Sequence, residues 1–514
     1  MHNYFKTILS GDHIHVHSAC EKYEKSTVGE TRSVQMVLMP QDTDQVQKII
    51  KCAREKKVRI YPLSTGKNWG YSDALPIDEN SIILDLSSLT KISNYDAELG
   101  SITVEPGVTQ KQLATYLKIQ GDNHIISVTG SSPDTSIIGN YLERGYGITP
   151  YADHADSVLA LEAVLANGKL YNSFLNNDEA PYYKDGLGPN CDGLFFQSPL
   201  GCVTRMSIKL APKPESIKLV FSEVKRAQFN EIVLAIQKLR KRWGGHTLTI
   251  KLFNAHYPMI MTGIDQRQEN SYLNETEQKA FAKKHGYPDW VCLCSVFGTD
   301  EISKICAQDV KKHLYPYVKK CSILDQKKLF WLEKIRFLLP HQLRGKIDSL
   351  RKNFSYFEGQ PSEHALSFAY WLKGFNGEEK KNLNPALDGC GIIWYAPLLP
   401  LKKEKISAFL TDVEKCAAQH NFVYIVNLTN YAETYVQCLV PILYCKKTQI
   451  LQAQKFYKSL LKVGEKRGIK PYRVPDFVMP DVFNEGQNNF VLEEVRMAFD
   501  PDYILSNGRY CLKK

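Results

Sequence analysis

The sequence predicts an α+β protein built from more than one substructure, on three observations. The chain has 514 residues, more than one ordinary core holds. Residues 1–215 read as mixed α/β and are dense in glycine loops. From about residue 216 amphipathic basic helices alternate with apolar, strand-like runs, which predicts a second α+β unit.

The elements follow in chain order. "HIHVH" puts His13, His15 and His17 on one face if it is extended. A half-exposed strand is the expectation, because no carboxylate or cysteine completes a metal site. "VQMVLMP", "QDTDQVQKIIKCAREKK" and "VRIYPL" read as a βαβ unit. Val46, Ile49, Ile50 and Ala53 stand at helical spacing, and Asp42 or Thr43 is the N-cap. "SIILDLSSL" (81–89) and "SITVEPG" (101–107) predict strands, and "TQKQLATYLKIQG" (109–121) predicts a helix ended by glycine. "VLALEAVLANGKLYNS" (158–173) predicts a hairpin turning at Asn167-Gly168. "GCVTRMSIKLAPKPE" (201–215) predicts a strand closed by prolines.

Beyond residue 216 the helices are "NEIVLAIQKLRKRW" and "KKLFWLEKIRFLLPHQLRGKIDSLRK". The strands are "HTLTIKLF", "WVCLCSVFG", "CGIIWYAPL", "NFVYIVNL" and "YVQCLVPILY". The tail "NNFVLEEVRMAFDPDYILSNGRY" reads as a helix and a turn. No internal repeat or low-complexity linker interrupts the chain.

Composition is that of a globular protein, 43% hydrophobic and 23% charged. The net charge of +10 arises from 65 Lys+Arg against 55 Asp+Glu. It is spread along the chain and makes no nucleic-acid-binding stripe. The 13 cysteines have no framework spacing, so buried thiols in a reducing compartment are expected. The first residues lack a secretory pattern, and no run approaches 18 apolar residues. The expected setting is cytoplasmic, with no membrane span.

Two stretches carry chemistry. In "PLSTGKNWGY" Gly66 and Gly70 permit the positive φ that an anion-binding nest requires. The motif is neither a Walker loop nor a GxGxxG fingerprint, and an ordinary strand-exit turn reads equally well. "GSSPDTSIIGNYLERGYGITPYADH" (130–154) is dense in turn residues, which suggests backbone lying flat against a large planar ligand. Its Ile137, Ile138, Leu142 and Ile148 call for burial, unlike a surface loop.

Together with "LEAVLANGKLY", "DGLFFQSPLGCVTRMSIKLAPKP", "IIWYAPL", "PYRVP" and "DPDYILSNGR", these stretches resemble, in order, the FAD-linked oxidases of the vanillyl-alcohol oxidase and p-cresol methylhydroxylase branch. The resemblance implies a two-subdomain FAD-binding domain of the p-cresol methylhydroxylase type over 1–215. It also implies an α+β cap with an antiparallel sheet over 216–465, and a segment over 466–514 that returns to the FAD domain. It implies that Pro62, Ser64, Thr65, Gly66, Lys67, Asn68, Trp69 and Gly70 hold the cofactor's pyrophosphate side. Ser131, Ser132, Ile138, Gly139, Asn140, Arg144, Gly145, Thr149, Tyr151 and His154 would line the flavin. Gly201, Val203 and Thr204, with Asn507 and Gly508 of the tail, would complete the site. Tyr71, Tyr472 and Arg473 match the residues that bind the phenol oxygen in the alkylphenol branch. Two O–H donors and a guanidinium aimed at one oxygen stabilise its anion. The resemblance thus implies hydride transfer from a benzylic carbon to flavin N5 through a quinone methide.

The sequence departs from the family in three places. Ile392 occupies the position of the flavin-tethering histidine, so FAD is expected to be non-covalent, with Cys390 and Tyr370 the alternative tethers. Ungapped counting places Ser131 where vanillyl-alcohol oxidase has an aspartate, and Asp134 follows three residues later. The cap's paired histidines are replaced in "AETYVQCL", which carries Glu433 and Tyr435. A 2-hydroxy-acid or sugar-type oxidase, with Arg473 gripping a carboxylate, is the alternative enzyme. A flavin-binding protein without catalysis is the alternative outside that class. Expected partners are a small phenolic substrate and an electron acceptor, oxygen or a redox protein. The basic helices around 325–352 offer a surface for such a protein or for a homodimer, though such helices more often cover a core.

Overall fold

The computed structural model describes residues 2–514 except 80, 176–178, 180, 262–274, 339–346, 348–350, 352–353, 374–381 and 484–489. Asp42 caps the first long helix, Thr43–Glu55, its carboxylate accepting from the Gln45 N–H at 2.7 Å. Val46, Ile49, Ile50 and Ala53 form the helix's buried stripe. They pack on a small sheet in which Met36–Leu38, Ile82–Asp85 and Ile60–Leu63 run parallel. Strand Ile14–Val16 closes one edge antiparallel. Of the three N-terminal histidines only His15 lies in that strand. His13 and His17 fall in flanking 3-10 turns, so the extended run expected of "HIHVH" is cut to three residues. Among the described residues no group of three His, Cys, Asp or Glu side chains could hold a metal.

A five-stranded antiparallel sheet follows, ordered Ile92–Asp96, Ser101–Val104, Gly201–Lys209, Val158–Leu165 and Leu170–Asn172. Its last pair is the expected hairpin, and Gly168 turns it with φ 75°. Val164, Ala166 and Cys202 share one buried cluster with Val46 and Ile60, which fixes the two sheets together.

The larger antiparallel sheet begins at Ser216–Val224. Its order is Val318–Asp325, Ser216–Val224, Trp290–Gly298, Leu248–Asn254, Asn427–Asn430, Tyr435–Tyr444 and Gly391–Tyr395, with Leu398–Pro400 also on Tyr435–Tyr444. Helices Phe229–Arg242, Asp300–Leu314, Lys403–Gln419 and Ile450–Glu465 cover one face. There they meet Leu248, Ile250, Leu252, Cys292 and Cys294 in one core. The run "NFVYIVNL" pairs only over Asn427–Asn430, because Asn254 captures the residues before it. Its side chain accepts from the Val426 N–H at 3.1 Å and donates to the Tyr424 carbonyl at 2.6 Å. The long basic segment from residue 326 opens with helix Gln326–Lys334, where Phe330 and Trp331 stay exposed; its later residues lie partly outside those described.

The tail comes back to the small sheet. The Ile60 N–H donates to the Ile504 carbonyl at 2.7 Å, and the Ser506 N–H to the Ile60 carbonyl at 2.9 Å. All 13 cysteines are free thiols. No helix among the described residues is long and apolar enough to cross a membrane.

Candidate active site

The loop after strand Ile60–Leu63 has the geometry of an anion cradle. Gly66 and Gly70 take φ 65° and 81°, the left-handed region. Among the described residues, the backbone N–H groups of Thr65 to Trp69 meet no protein acceptor, whereas that of Gly70 is bound to the Thr27 hydroxyl at 2.8 Å. A row of unpaired N–H groups suits a pyrophosphate. Opposite the loop stands Gly139, where a Cβ would meet the Ser64 Oγ at 2.4 Å, so a side chain here would displace Ser64. Between them lies a cavity of about 180 Å³. Of the residues expected to hold the cofactor, Pro62, Ser64, Thr65, Gly66, Lys67, Asn68, Ile138, Gly139, Asn140, Gly201 and Val203 line it. These residues fit an elongated, diphosphate-bearing cofactor such as FAD. Burial lowers the pKa of Lys67.

The remaining expected residues lie around this cavity in other roles. Trp69 is buried in an apolar cluster with Leu366, Trp371 and Cys390. Ser131 accepts from the Thr135 hydroxyl at 2.9 Å, and Ser132 accepts from the Asp134 N–H at 3.1 Å. The buried His154 sits behind Asn140. Its Nδ1 is 2.5 Å from the Asn140 side chain, its Nε2 is 2.9 Å from the Ser127 carbonyl, and its ring stacks on Tyr141. Burial pushes this imidazole down to about 4, so it is neutral and fixes the orientation of Asn140. A Cβ on Gly145 would lie 2.0 Å from the Asn140 Oδ1, and Thr149 is buried beneath that segment. Arg144 is exposed, and Tyr151 packs on His246 and under Lys209. Asn507 donates to Asp78 at 3.1 Å.

Tyr71 and the adjacent pair Tyr472 and Arg473, from opposite ends of the chain, converge. Three contacts bring them together. The Asp476 N–H donates to the Tyr71 carbonyl at 3.1 Å, the Tyr472 N–H to the Ala396 carbonyl at 3.1 Å, and Gln197 Nε2 to the Tyr472 carbonyl at 2.9 Å. The Arg473 guanidinium lies 4.1 Å from the Tyr71 ring centre and donates to the Asn68 side chain. The Tyr472 hydroxyl oxygen accepts from Gln437 Nε2 at 2.9 Å, and the nearby Arg473 charge offsets part of the burial that raises its pKa. Burial raises the pKa of both tyrosines, so each is a protonated donor near neutrality. Burial opposes the charge of Arg473, but Tyr71 and Glu143 hold it protonated. Tyr146 closes one side, edge-on to Tyr472, stacked on Tyr431, with its hydroxyl 3.1 Å from that of Tyr435. The cap residues standing in for the family's histidines divide: Tyr435 joins this aromatic wall, and Glu433 is exposed.

A supporting layer escaped the sequence reading. Glu143 accepts from Arg509 and, at 2.7 Å, from the Tyr510 hydroxyl, and it lies 3.6 Å from Arg473 Nε. Burial would raise this carboxyl, but Arg509 and Arg473 outweigh it and hold it below the usual range. Gln437 was also missed. Strand alternation after Tyr435 is the signal that puts it on the same face.

Comparison with known proteins bears on the fold and on the cofactor. An FAD binding domain is matched over residues 34–173. The chain is 29% identical to 1'-carboxy-chondrochloren decarboxylase of Chondromyces crocatus, over 98% of this chain and 96% of that one. It is 26% identical to the flavoprotein subunit of the hydroxylating 4-cresol dehydrogenase of Pseudomonas putida, over 91% and 85%. The fold superposes on substrate-bound p-cresol methylhydroxylase with a TM-score of 0.84 at 24% identity, covering 99% of this chain and 96% of that one. It superposes on the 4-ethylphenol oxidase of Gulosibacter chungangensis with a TM-score of 0.86 at 20% identity, with the same coverage.

Proposed function

We propose that this chain, an FAD-dependent oxidoreductase of the p-cresol methylhydroxylase family, oxidises a para-substituted phenol at its benzylic carbon. The observation that carries the reading is the meeting of Tyr71 with the Tyr472-Arg473 pair, where the Arg473 guanidinium lies 4.1 Å from the Tyr71 ring centre and Gln437 fixes the Tyr472 hydroxyl at 2.9 Å. Bound FAD supplies the acceptor for the hydride. The chain's own residues prepare the substrate. Tyr71 and Tyr472, kept protonated by burial, donate to the phenol oxygen. Arg473 faces it with a full charge, and a cation within about 4–6 Å lowers a pKa by roughly 1–3 units. A phenolate drives electron density toward the para carbon and weakens the benzylic C–H bond. The apolar cluster of Trp69, Phe368 and Ile392, with Trp394 packed against it, offers a dry wall for the side chain.

FAD is held without a covalent link on this reading. Ile392 has no atom that can form one, the Tyr370 hydroxyl is bound to Asp388, and Cys390 is buried in the apolar cluster. Acid precipitation tests the point: the yellow colour leaves the protein pellet, and colour retained there refutes it. The electron acceptor is oxygen or a redox protein, and the working protein is a single chain or a homodimer. The setting is cytoplasmic.

A second reading draws on the relative named a decarboxylase. The phenol's side chain would then bear a carboxylate one carbon beyond the benzylic position. Loss of the benzylic hydride and of carbon dioxide would leave an alkene. Anaerobic addition of 4-alkylphenols and of 2-hydroxy acids separates both readings from a hydroxy-acid oxidase. Phenols reduce the flavin if the proposal holds; reduction by hydroxy acids alone sinks it.

A further inference from the structure

The central strand Leu248–Asn254 carries a residue that its position does not explain. Leu248, Ile250 and Leu252 face the helices and fill the cap core. Alternation therefore turns Thr249, Lys251 and Phe253 to the other face of the sheet. Lys251 pairs in register with Thr429, and Thr429 with Gln437. The three side chains form one row across three strands, and the row ends at the Tyr472 hydroxyl, which Gln437 contacts at 2.9 Å. Two strand spacings, about 10 Å, separate Lys251 from Gln437.

The Lys251 ammonium has no hydrogen bond or ion pair among the described residues. Its cross-strand neighbours on this face, Leu293 and Thr429, carry no charge. Burial alone pushes its pKa down to about 8, with no carboxylate opposing the shift. Its side chain is nevertheless only partly covered, so surface remains open on that face. A half-buried cation that meets no counter-ion among the described residues is costly, and packing would be served better by a leucine or methionine.

We propose that Lys251 is a specificity residue that binds a carboxylate on the side chain of the substrate, at the end remote from the phenol oxygen. The assignment rests on the reading above that Tyr71, Tyr472 and Arg473 hold that oxygen. The substrate class is then a phenol whose para side chain ends in, or bears, a carboxylate. The bound carboxylate supplies the counter-ion that the described residues do not offer, and the row through Thr429 and Gln437 sets the distance between the two polar ends.

The test is binding to the FAD-loaded protein, read by perturbation of the flavin spectrum. The probes are 3-(4-hydroxyphenyl)propanoate, its methyl ester and 3-phenylpropanoate. In the wild type the acid binds at least about tenfold more tightly than the ester. In Lys251→Met that ratio falls to near one, and in Lys251→Arg it is restored. A wild-type ratio near one, or a ratio unchanged in Lys251→Met, overturns the proposal. Failure of the phenol reading looks different: 3-phenylpropanoate then binds as tightly as the hydroxylated acid while the dependence on Lys251 persists. Each variant is first checked for bound flavin, and the wild-type ratio stands even if Lys251→Met does not fold.

Discussion

The Arg473 guanidinium carbon lies 4.1 Å from the centre of the Tyr71 ring, which joins the cofactor loop to the C-terminal segment at one point. The arginine reaches past the ring to Asn68 of the same loop and back to Glu143. The cofactor cradle and the trio proposed to bind the phenol are therefore two sides of one turn. A change to the turn can be steered toward either side by the atom removed.

Tyr71→Phe removes only the hydroxyl. The ring remains for Arg473 to cover, and the Tyr71 backbone still accepts from Asp476. FAD content is expected to match the wild type, while anaerobic flavin reduction by 4-ethylphenol slows about 100-fold, the scale for one donor lost from an oxyanion site. Equal loss of flavin and of reduction rate assigns Tyr71 to structure.

Glu143→Gln keeps the shape and removes the charge between the buried Arg473 and the half-buried Arg509. Breaking a buried ion pair by removing one partner costs about 3–5 kcal/mol, so urea denaturation should show a loss of this size. Glu143 has a depressed pKa in the folded protein, so its contribution is present above the ordinary carboxylate value and is lost as pH falls through the folded one. The stability gap between wild type and variant should narrow in acid.

Asp73 has the opposite sign. Burial raises its carboxyl from 3.8 to about 7, although Ser26 and Thr27 donate to it. The folded protein binds this proton more tightly than the unfolded chain. Its contribution is largest below about 3.8 and declines as pH rises to about 7. Asn accepts from the same donors and tolerates the φ of 55° at this position. Asp73→Asn should therefore flatten the fall in denaturation midpoint between these two pH values. An unchanged slope contradicts the assignment.

Gly70→Ala puts a Cβ 2.1 Å from the Trp394 Cδ1, at a φ of 81°. Either the loop or the cap strand Gly391–Tyr395 must shift. About 2–4 kcal/mol of stability should be lost, with weaker FAD retention on gel filtration, and Gly186→Ala, with nothing within 4 Å, serves as the comparison at positive φ.

The βαβ unit, the 158–173 hairpin and the anion loop were legible because their signals are local: helical spacing, an Asn-Gly turn, glycines at a strand exit. Tyr71, Tyr472 and Arg473 were legible only through resemblance, since nothing in local pattern joins residues at opposite ends of the chain. Glu143 and Arg509 stand in stretches that carry the resemblance, but nothing paired them; an ion pair between distant loops leaves no periodicity. "HIHVH" shows the converse, for its alternation promised one extended face and 3-10 turns on both sides confined the strand to Ile14–Val16. Strand alternation turns Lys251 away from the cap core from sequence, but which side chains stand beside it, Leu293 and Thr429, emerges only once the neighbouring strands are known.

The central claim is that the protein works through the substrate's phenolic oxygen. The most direct measurement is the rate of anaerobic flavin reduction by 4-ethylphenol and by 4-ethylanisole, its methyl ether, in the same preparation. The ether has the same benzylic carbon but cannot become an anion in the grip of Tyr71, Tyr472 and Arg473. The account predicts that the phenol reduces the flavin and the ether does so at least about 1000-fold more slowly, about 4 kcal/mol in barrier. Equal rates for the two, or reduction by neither while a 2-hydroxy acid bleaches the flavin, would contradict it.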